Sequence, residues 1–256
     1  MYIIVFNNNK NFQYYRLVDQ IVADTSGAFR ERAPGRRIWT TLCQLTAVMT
    51  QLFSVHPDNP QIRLIRQAAD VVRAGGIIVY PTDSCYALGC RLGDKAAMER
   101  IRAIRRLDEK HRFALVCRDL SELALYAVVD NRQFRALKGA TPGSYTFILK
   151  ATREVPKRLR HPAGKTIGLR VPDHKVVRLL LDELGEPLVS TTLLLPGDDV
   201  PLNDAEEIRD RLDRQVELIL ESGSCGITPT TVVDLSGSAP VVVRRGRGGL
   251  QPFGVH

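Results

Sequence analysis

The sequence of 256 residues has few cysteines and no long hydrophobic run. No window approaches the roughly eighteen apolar residues that a transmembrane helix needs. The five cysteines are scattered, without the spacing of a zinc site or a redox motif. The opening MYIIVF is too short for the apolar core of a signal peptide. We therefore expect a cytoplasmic protein with reduced thiols, no membrane contact and no protein-bound metal.

Three motifs of nucleotide and metal enzymes are also missing. The sequence has no G-x-x-x-x-G-K-[ST], no G-x-G-x-x-G after a strand, and no H-E-x-x-H. What it does have is positive charge, with 36 Lys and Arg against 28 Asp and Glu and a formal charge of +8. A basic surface concentrates anions, so the partner is expected to be a nucleotide, RNA or an acidic surface.

The first 48 residues differ from those that follow. They show no sustained helical or alternating period, and we expect residues 1–48 to be an N-terminal extension, either a start-site artefact or a poorly ordered arm. Residues 49–256 contain no internal repeat and no low-complexity linker. They are interpreted as one domain.

Helical segments alternate with short β-rich runs in this domain, which indicates an α/β or α+β fold with helices flanking a sheet. The predicted strands are Ile77–Tyr80, Phe113–Val116, Thr146–Leu149, Ile167–Arg170, Leu188–Thr191, Val216–Leu220, Val232–Leu235 and Val241–Arg245. The predicted helices are Gln61–Ala74, Lys95–Arg106, Leu120–Tyr126, Arg132–Lys138, Lys175–Leu184 and Ala205–Asp213. Asn203 is expected to cap the last helix, with Glu206 completing a capping box.

Three segments place hydroxyl side chains beside an apolar strand: IIVYPTDS, LVSTT and TPGSYTFIL. A hydroxyl both donates and accepts hydrogen bonds, so such a cluster can bind a carboxylate, a phosphate or a second hydroxyl. The alternative is local turn formation, for which the same residue types are favoured. Cys85 lies among them but is interpreted as a small core residue and not as a nucleophile.

Arginines adjoin these segments. Arg105 and Arg106 end a helix, Arg170 ends a strand just before Pro172, and Arg244 precedes a glycine-rich stretch predicted to be a flexible loop. A planar guanidinium at a strand end can hold a carboxylate or phosphate with two hydrogen bonds. A solvated helix end and a solubilising tail are the alternatives for the other arginines.

These segments resemble a known family. The stretches GGIIVYPTDSCYALGC, TPGSYTFIL, KTIGLRVPDH, PLVSTT, TPTTVVDL and VVVRRG stand in the order of the YrdC-like threonylcarbamoyl-AMP synthases, and YALGC and VCRDLSEL resemble the YciO branch. The resemblance covers nearly all of residues 61–247. It implies a YrdC/RibB-like fold, a twisted open mixed sheet with a concave basic groove.

The resemblance also implies a reaction. Synthases of this family condense L-threonine, bicarbonate and ATP with Mg²⁺, release pyrophosphate, and form the adenylate used to make N6-threonylcarbamoyladenosine in tRNA. No protein nucleophile is expected, because positioning and charge neutralisation suit this chemistry. Matching motif positions implies substrate contacts at Thr82, Ser84, Thr146, Arg170, Ser190 and Thr192. The implied nucleotide contacts are Arg105, Arg106 and Arg244.

Two positions depart from the family pattern. A Lys-x-Arg pair aligns with Arg105-Arg106-Leu107, and a Ser-x-Asn aligns with Thr192-Leu193-Leu194. Leu107 and Leu194 thus replace polar groups on the nucleotide side, so weak or altered synthase activity is expected. The alternative is a non-enzymatic protein that binds double-stranded RNA, tRNA or rRNA during RNA maturation.

Overall fold

A computed structural model describes residues 49–108, 111–162 and 164–254. The predicted N-terminal extension, residues 1–48, lies outside the described residues. Within the described part there are six helices: α1 Ile62–Arg73, α2 Lys95–Arg105, α3 Leu120–Tyr126, α4 Asn131–Ala140, α5 Lys175–Leu184 and α6 Ala205–Leu212. None of these is long and apolar enough to cross a membrane.

Eleven strands of the described residues form one open mixed sheet, in agreement with the predicted α/β class. They are β1 Gln51–Ser54, β2 Ile78–Tyr80, β3 Ala87–Arg91, β4 Ala114–Val116, β5 Ala127–Val128, β6 Tyr145–Ala151, β7 Thr166–Arg170, β8 Leu188–Thr192, β9 Leu218–Glu221, β10 Thr231–Asp234 and β11 Val241–Arg244. The order across the sheet is β1-β9-β2-β3-β8-β4-β7-β6-β10-β11, and β5 pairs with β6. Sequence reasoning missed β1, β3 and β5.

Apolar side chains cover both faces of the sheet. In β2 and the residue before it, Ile77 and Val79 belong to one core cluster, whereas Ile78 and Tyr80 belong to another. Helices α1 and α5 cover the second cluster, and the other helices cover the first. A strand buried on both faces reads as a continuous apolar run, which is why β2 was recognised from its sequence.

Local capping explains the helix ends. Asp94, Asp119 and Asp130 each accept a hydrogen bond from a backbone N–H in the first turn of α2, α3 and α4. Gly185 ends α5 in the left-handed conformation, with φ 72°. The predicted Asn203 cap of α6 is wrong, because the Asp204 side chain accepts from the Glu207 N–H instead.

Strand β3 was missed because its sequence, ALGCR, contains no β-branched residue and has a central glycine. The structure gives Gly89 a packing role. A Cβ atom at this position would lie 2.7 Å from Cε1 of the buried Tyr80 ring. The glycine therefore lets β3 approach Tyr80 closely enough for both to remain in the core.

Candidate functional site

Arg170, the last residue of β7, is 5% exposed and faces the connection between β2 and β3. Its Nη2 atom donates to Asp83 Oδ1 at 2.8 Å, to Ser84 Oγ at 3.2 Å and to Thr82 Oγ1 at 3.4 Å. The Nε atom is buried and has no hydrogen-bond partner among the described residues. A buried donor without a partner costs stability, so this N–H group needs a reason other than folding.

Thr82 organises the connection. Its hydroxyl donates to the Cys85 carbonyl at 2.6 Å and accepts from the backbone N–H groups of Ser84 and Cys85 at 3.2 and 3.3 Å. Thr82 and Ser84 are both buried. These bonds make the stretch after Pro81 a tight turn. The same residues that were candidates for ligand binding therefore also form a local turn.

The site is not a row of strand ends at one sheet edge. Strands β2 and β8 both pair antiparallel with β3, so their carboxyl ends share an edge. Strand β7 runs the opposite way, since it is parallel to β4 and β4 is antiparallel to β8. The site forms where the β2–β3 connection meets the end of β7.

Two of the predicted substrate residues lie in β8. Ser190 is 3% exposed, donates to the Leu88 carbonyl at 3.2 Å and lies 2.5 Å from the Tyr80 hydroxyl. Both hydrogen-bond partners of Ser190 are therefore buried core residues. Thr192 ends the strand and lies close to Cys85, where it opposes the rise in the pKa of the thiol that burial causes.

A second pair of hydroxyl groups, those of Thr146 and Thr230, links β6 to the residue just before β10. Thr146 Oγ1 lies 2.8 Å from Thr230 Oγ1, and Arg244 donates from Nη2 and Nε to the Thr230 carbonyl at 2.9 and 3.2 Å. Burial lowers the pKa of Arg244. Arg244 therefore holds Thr230, and through it Thr146, in a fixed place.

The stretch after Arg244 is not the flexible loop that its glycines suggested. The Arg247 N–H donates to Pro229 O at 2.9 Å, and the Gly246 N–H donates to Thr231 Oγ1 at 3.0 Å. The Thr231 hydroxyl in turn donates to Gly248 O at 2.5 Å. These bonds tie the C-terminal segment to the start of β10.

Arg105 approaches the site from the end of α2. It donates from Nε to the Leu194 carbonyl at 2.8 Å and from Nη1 to Thr191 Oγ1 at 2.5 Å. His111 Nε2 lies 3.2 Å from the same hydroxyl. Burial, and then Arg105 and Arg102, lower the pKa of His111 to about 4. A neutral His111 can thus accept from Thr191, which in turn accepts from Arg105.

Leu107, which was predicted to replace a polar group on the nucleotide side, directly follows Arg106, the residue that caps the end of α2. Arg106 adopts the left-handed conformation with φ 49°, its N–H donates to Ala103 O, and the Leu107 N–H donates to Arg102 O. This is a Schellman motif, in which an apolar residue after the left-handed position packs back on the protein. Leu107 packs against the main core, whereas the Arg106 side chain is exposed.

Cys85 lies at the centre of these arginines. Burial raises the pKa of its thiol, while the positive charges of Arg170 and Arg244 oppose that shift. The thiol is therefore protonated at neutral pH, which agrees with its interpretation as a non-nucleophilic residue.

A separate pocket of about 930 Å³ adjoins Tyr86, and its charged lining consists of Arg211 and six carboxylates. The carboxylates are Asp198, Asp199, Asp204, Glu206, Glu207 and Glu221. Such a lining repels phosphates, so this pocket does not suit a nucleotide. Arg105, Arg170 and Arg244, by contrast, form a positively charged cluster around Cys85.

The structure brings into the site four residues that were not among the predicted contacts: Asp83, Thr191, His111 and Thr230. A signal was present for Asp83, since a carboxylate stood between two hydroxyl residues chosen as contacts. Thr191 is adjacent to the chosen Thr192 but its side chain lies on the other face of β8. His111 lies in the basic stretch AIRRLDEKHRF and Thr230 in the motif TPTTVVDL, but their partners are distant in the chain and could not be identified from the sequence.

The amino-acid sequence is similar to that of a known protein family and of several characterised and uncharacterised proteins. The model of the Sua5/YciO/YrdC family, described as "Telomere recombination", matches residues 70–246. A protein of Escherichia coli strain K12, YciO, whose activity is uncharacterized, is 58% identical over 205 residues, covering 80% of this chain and 100% of the relative. A threonylcarbamoyl-AMP synthase of Chromobacterium violaceum is 33% identical over 180 residues, covering 70% of this chain and 92% of the relative.

Solved structures of proteins from this family have a similar fold. The crystal structure of E. coli YciO superposes with a TM-score of 0.78 and covers 80% of this chain and 100% of that one. P. abyssi Sua5 complexed with L-threonine has a TM-score of 0.70 at 24% identity, covering 77% of this chain and 58% of that one, which shows the fold. With the family match over residues 70–246 and the identity to YciO, the chain belongs to the Sua5/YciO/YrdC family.

Proposed function

We propose that the protein is an L-threonylcarbamoyladenylate synthase-like enzyme that condenses L-threonine, bicarbonate and ATP, with weak or altered activity. The observation that carries the proposal is the buried Arg170, held by Asp83, Ser84 and Thr82 while its Nε atom lacks an acceptor. A guanidinium with an unmet donor in a ring of hydroxyls suits an amino-acid carboxylate. The 33% identity to a threonylcarbamoyl-AMP synthase supports the same assignment.

The remaining cations suit the nucleotide. Arg105 and Arg244 both lie close to Cys85, and neither forms a salt bridge with a carboxylate among the described residues. Their guanidinium groups can offset charge on a triphosphate and on the leaving pyrophosphate. The hydrogen bonds from Arg105 to Leu194 O and Thr191 fix the position of its guanidinium group, and the positive charge of this group is not neutralised by either partner.

Magnesium fits this site only as part of the nucleotide. In the described residues no group of three or more His, Cys, Asp or Glu side chains could hold a metal ion, and Asp83 is already paired with Arg170. Mg²⁺ would be held by the phosphates of ATP, where it neutralises negative charge. The chain's own contribution is to orient threonine with Thr82 and Thr146 and to bind its carboxylate with Arg170.

Pyrophosphate release tests the proposal. Purified protein at a concentration comparable to its substrates is incubated with ATP, bicarbonate, Mg²⁺ and threonine, and each component is omitted in turn. We expect threonine-dependent release that falls at least about tenfold in Arg170→Lys, which keeps the charge but loses the planar fork. Arg178→Lys, an exposed position on α5, is the matched control and should retain activity. Absence of any threonine-dependent release would refute the synthase assignment.

A second function, RNA binding without catalysis, is favoured by the exposed arginines of the C-terminal segment. Arg245 and Arg247 are exposed, whereas the Arg244 guanidinium forms a partly buried hydrogen bond with the Thr230 carbonyl. Phosphate contacts release counterions, so binding to double-stranded RNA or tRNA should weaken steeply between about 50 and 200 mM salt. Affinity that is independent of salt would rule out a phosphate-tracking surface.

A further inference from the structure

Asp83 is the carboxylate that faces Arg170, and its surroundings are unusual for a turn residue. The Asp83 and Arg170 side chains are 8% and 6% exposed, so the ion pair is buried. The second carboxylate oxygen, Oδ2, accepts from the Asp173 N–H at 3.2 Å, and the Asp83 carbonyl accepts from the Ser144 hydroxyl at 3.1 Å. Asp83 thus joins the β2–β3 connection to the segments before β6 and after β7.

Asp83 is not needed to form the turn itself. The turn is closed by Thr82, whose hydroxyl contacts Cys85 O and two backbone N–H groups. A buried ion pair seldom adds net stability, because desolvating both charges offsets their attraction. The position of Asp83 beside the substrate arginine therefore calls for a reason other than folding.

The pair leaves the amino-acid end of the site with no net charge from its two ionised groups. A ligand that offers only a carboxylate gains Arg170 but also meets the negative charge of Asp83. A ligand with an ammonium group next to its carboxylate meets both charges with their opposites. Because the α-nitrogen is two bonds from the carboxylate carbon, an amino acid whose carboxylate approaches Arg170 places its ammonium near Asp83.

The geometry points to Asp83 as the specificity-determining residue that makes this end of the site select zwitterionic α-amino acids over simple carboxylates. This inference rests on the proposed function, because it concerns the amino-acid end of the same site. Asp83 supplies the negative half of a two-charge recognition site and Arg170 the positive half. The unmet Nε atom of Arg170 is the donor that the ligand carboxylate completes.

Calorimetric binding of three ligands to the full chain tests it: L-threonine, 3-hydroxybutyrate, which lacks the ammonium, and threoninol, which lacks the carboxylate. In the wild-type protein threonine should bind about ten- to a hundredfold more tightly than either analogue, the range expected for a hydrogen bond to a charged group. This comparison needs no variant. Equal binding of all three ligands would overturn the inference.

The Asp83→Asn variant then assigns the effect to a residue. The amide oxygen can still accept from Arg170, while the negative charge is removed. We expect the preference for threonine over 3-hydroxybutyrate to fall to about threefold or less, whatever happens to the absolute affinities. Asp173→Asn, which removes a neighbouring exposed carboxylate outside the ion pair, should keep the wild-type preference. A purely structural role for Asp83 predicts weaker binding of both ligands with the ratio unchanged, which would refute the proposal.

Pyrophosphate release separates this inference from the synthase assignment. Selective threonine binding that is lost in Asp83→Asn, without pyrophosphate release by the wild type, would support the recognition site and refute the synthase. Threonine-dependent release with an unchanged ligand preference in Asp83→Asn would do the reverse. Failure of threonine to bind the wild-type protein would overturn both.

Discussion

The Tyr80 hydroxyl lies 2.5 Å from Ser190 Oγ, and both side chains are buried. Burial raises the pKa of Tyr80 to about 12, so the phenol stays protonated and available for this bond across the physiological range. The pair joins β2 to β8 across β3, within the sheet that carries the site.

The pair should be coupled energetically. Ser190→Ala leaves the Tyr80 hydroxyl without a partner and is expected to lower the free energy of unfolding by about 1–3 kcal/mol. Tyr80→Phe should cost about 1 kcal/mol, because Ser190 retains the Leu88 carbonyl as an acceptor. In a double-mutant cycle measured by urea denaturation, the two losses should add to more than the loss in the double variant. Strict additivity would show that the hydroxyls do not interact.

Arg105 should matter for the nucleotide and not for the amino acid. Arg105→Met is expected to weaken ATP binding by about ten- to a hundredfold, since a charged phosphate contact is lost. Threonine binding should stay within about twofold, because the Arg105 side chain hydrogen-bonds Leu194 and Thr191 and not Arg170 or Thr82. Calorimetry with each ligand measures both.

Arg100→Met is the matched control for Arg105→Met. Arg100 lies on the same helix and also contacts a backbone carbonyl, that of Gln215, but it pairs with Glu217 away from the site. The control should bind ATP like the wild type. Equal losses in the two variants would mean that α2 has been destabilised generally and that Arg105 has no specific role.

His111 should make stability depend on pH in the acid range. Its pKa in the folded protein is about 4, against an ordinary value of 6.5, chiefly because of burial. Between these values the unfolded chain binds more protons than the folded one, so the free energy of unfolding falls as the pH falls. Since His111 is only partly buried, solvent screening limits the loss to about 1–2 kcal/mol.

The variant His111→Gln isolates this contribution. Chemical denaturation at several pH values between 7 and 4 should show a shallower decline for the variant than for the wild type. Other acidic and histidine groups titrate in both proteins and cancel in the difference. Parallel curves would show that His111 does not supply the pH dependence.

The elements that the sequence predicted best are those with their own local signals. Helix α3 was placed to the residue, because Asp119 caps its start, and α5 was placed equally well, with Gly185 at its end. Strand β3 carried no such signal, since it exists through pairing with β2 and β8. Asn203 and Asp204 are both good caps, and only the folded chain decides between them, because Asn203 instead accepts from Cys225 and Gly226.

The same division applies to the site. Thr82, Ser84 and Arg170 could be chosen from the sequence because hydroxyls and a guanidinium stood at strand ends, and the structure brings these three together. Their assignment as substrate contacts stays a prediction. Leu107 could not be placed, since its packing depends on how α2 terminates. The link from Arg105 through Thr191 to His111 joins three elements whose proximity exists only after folding.

The arrangement of β1 has a consequence for how the protein is made. This strand, the first that the structure describes, pairs only with β9, and the Thr50 hydroxyl donates to the Val216 carbonyl across 166 positions of chain. Thr230, which contacts Thr146 in the candidate site, lies still further along the chain than Val216. Contacts between such distant residues slow folding, because a long loop must close before they form. During translation the candidate site stays incomplete until the segment that carries Thr230 and Arg244 has left the ribosome.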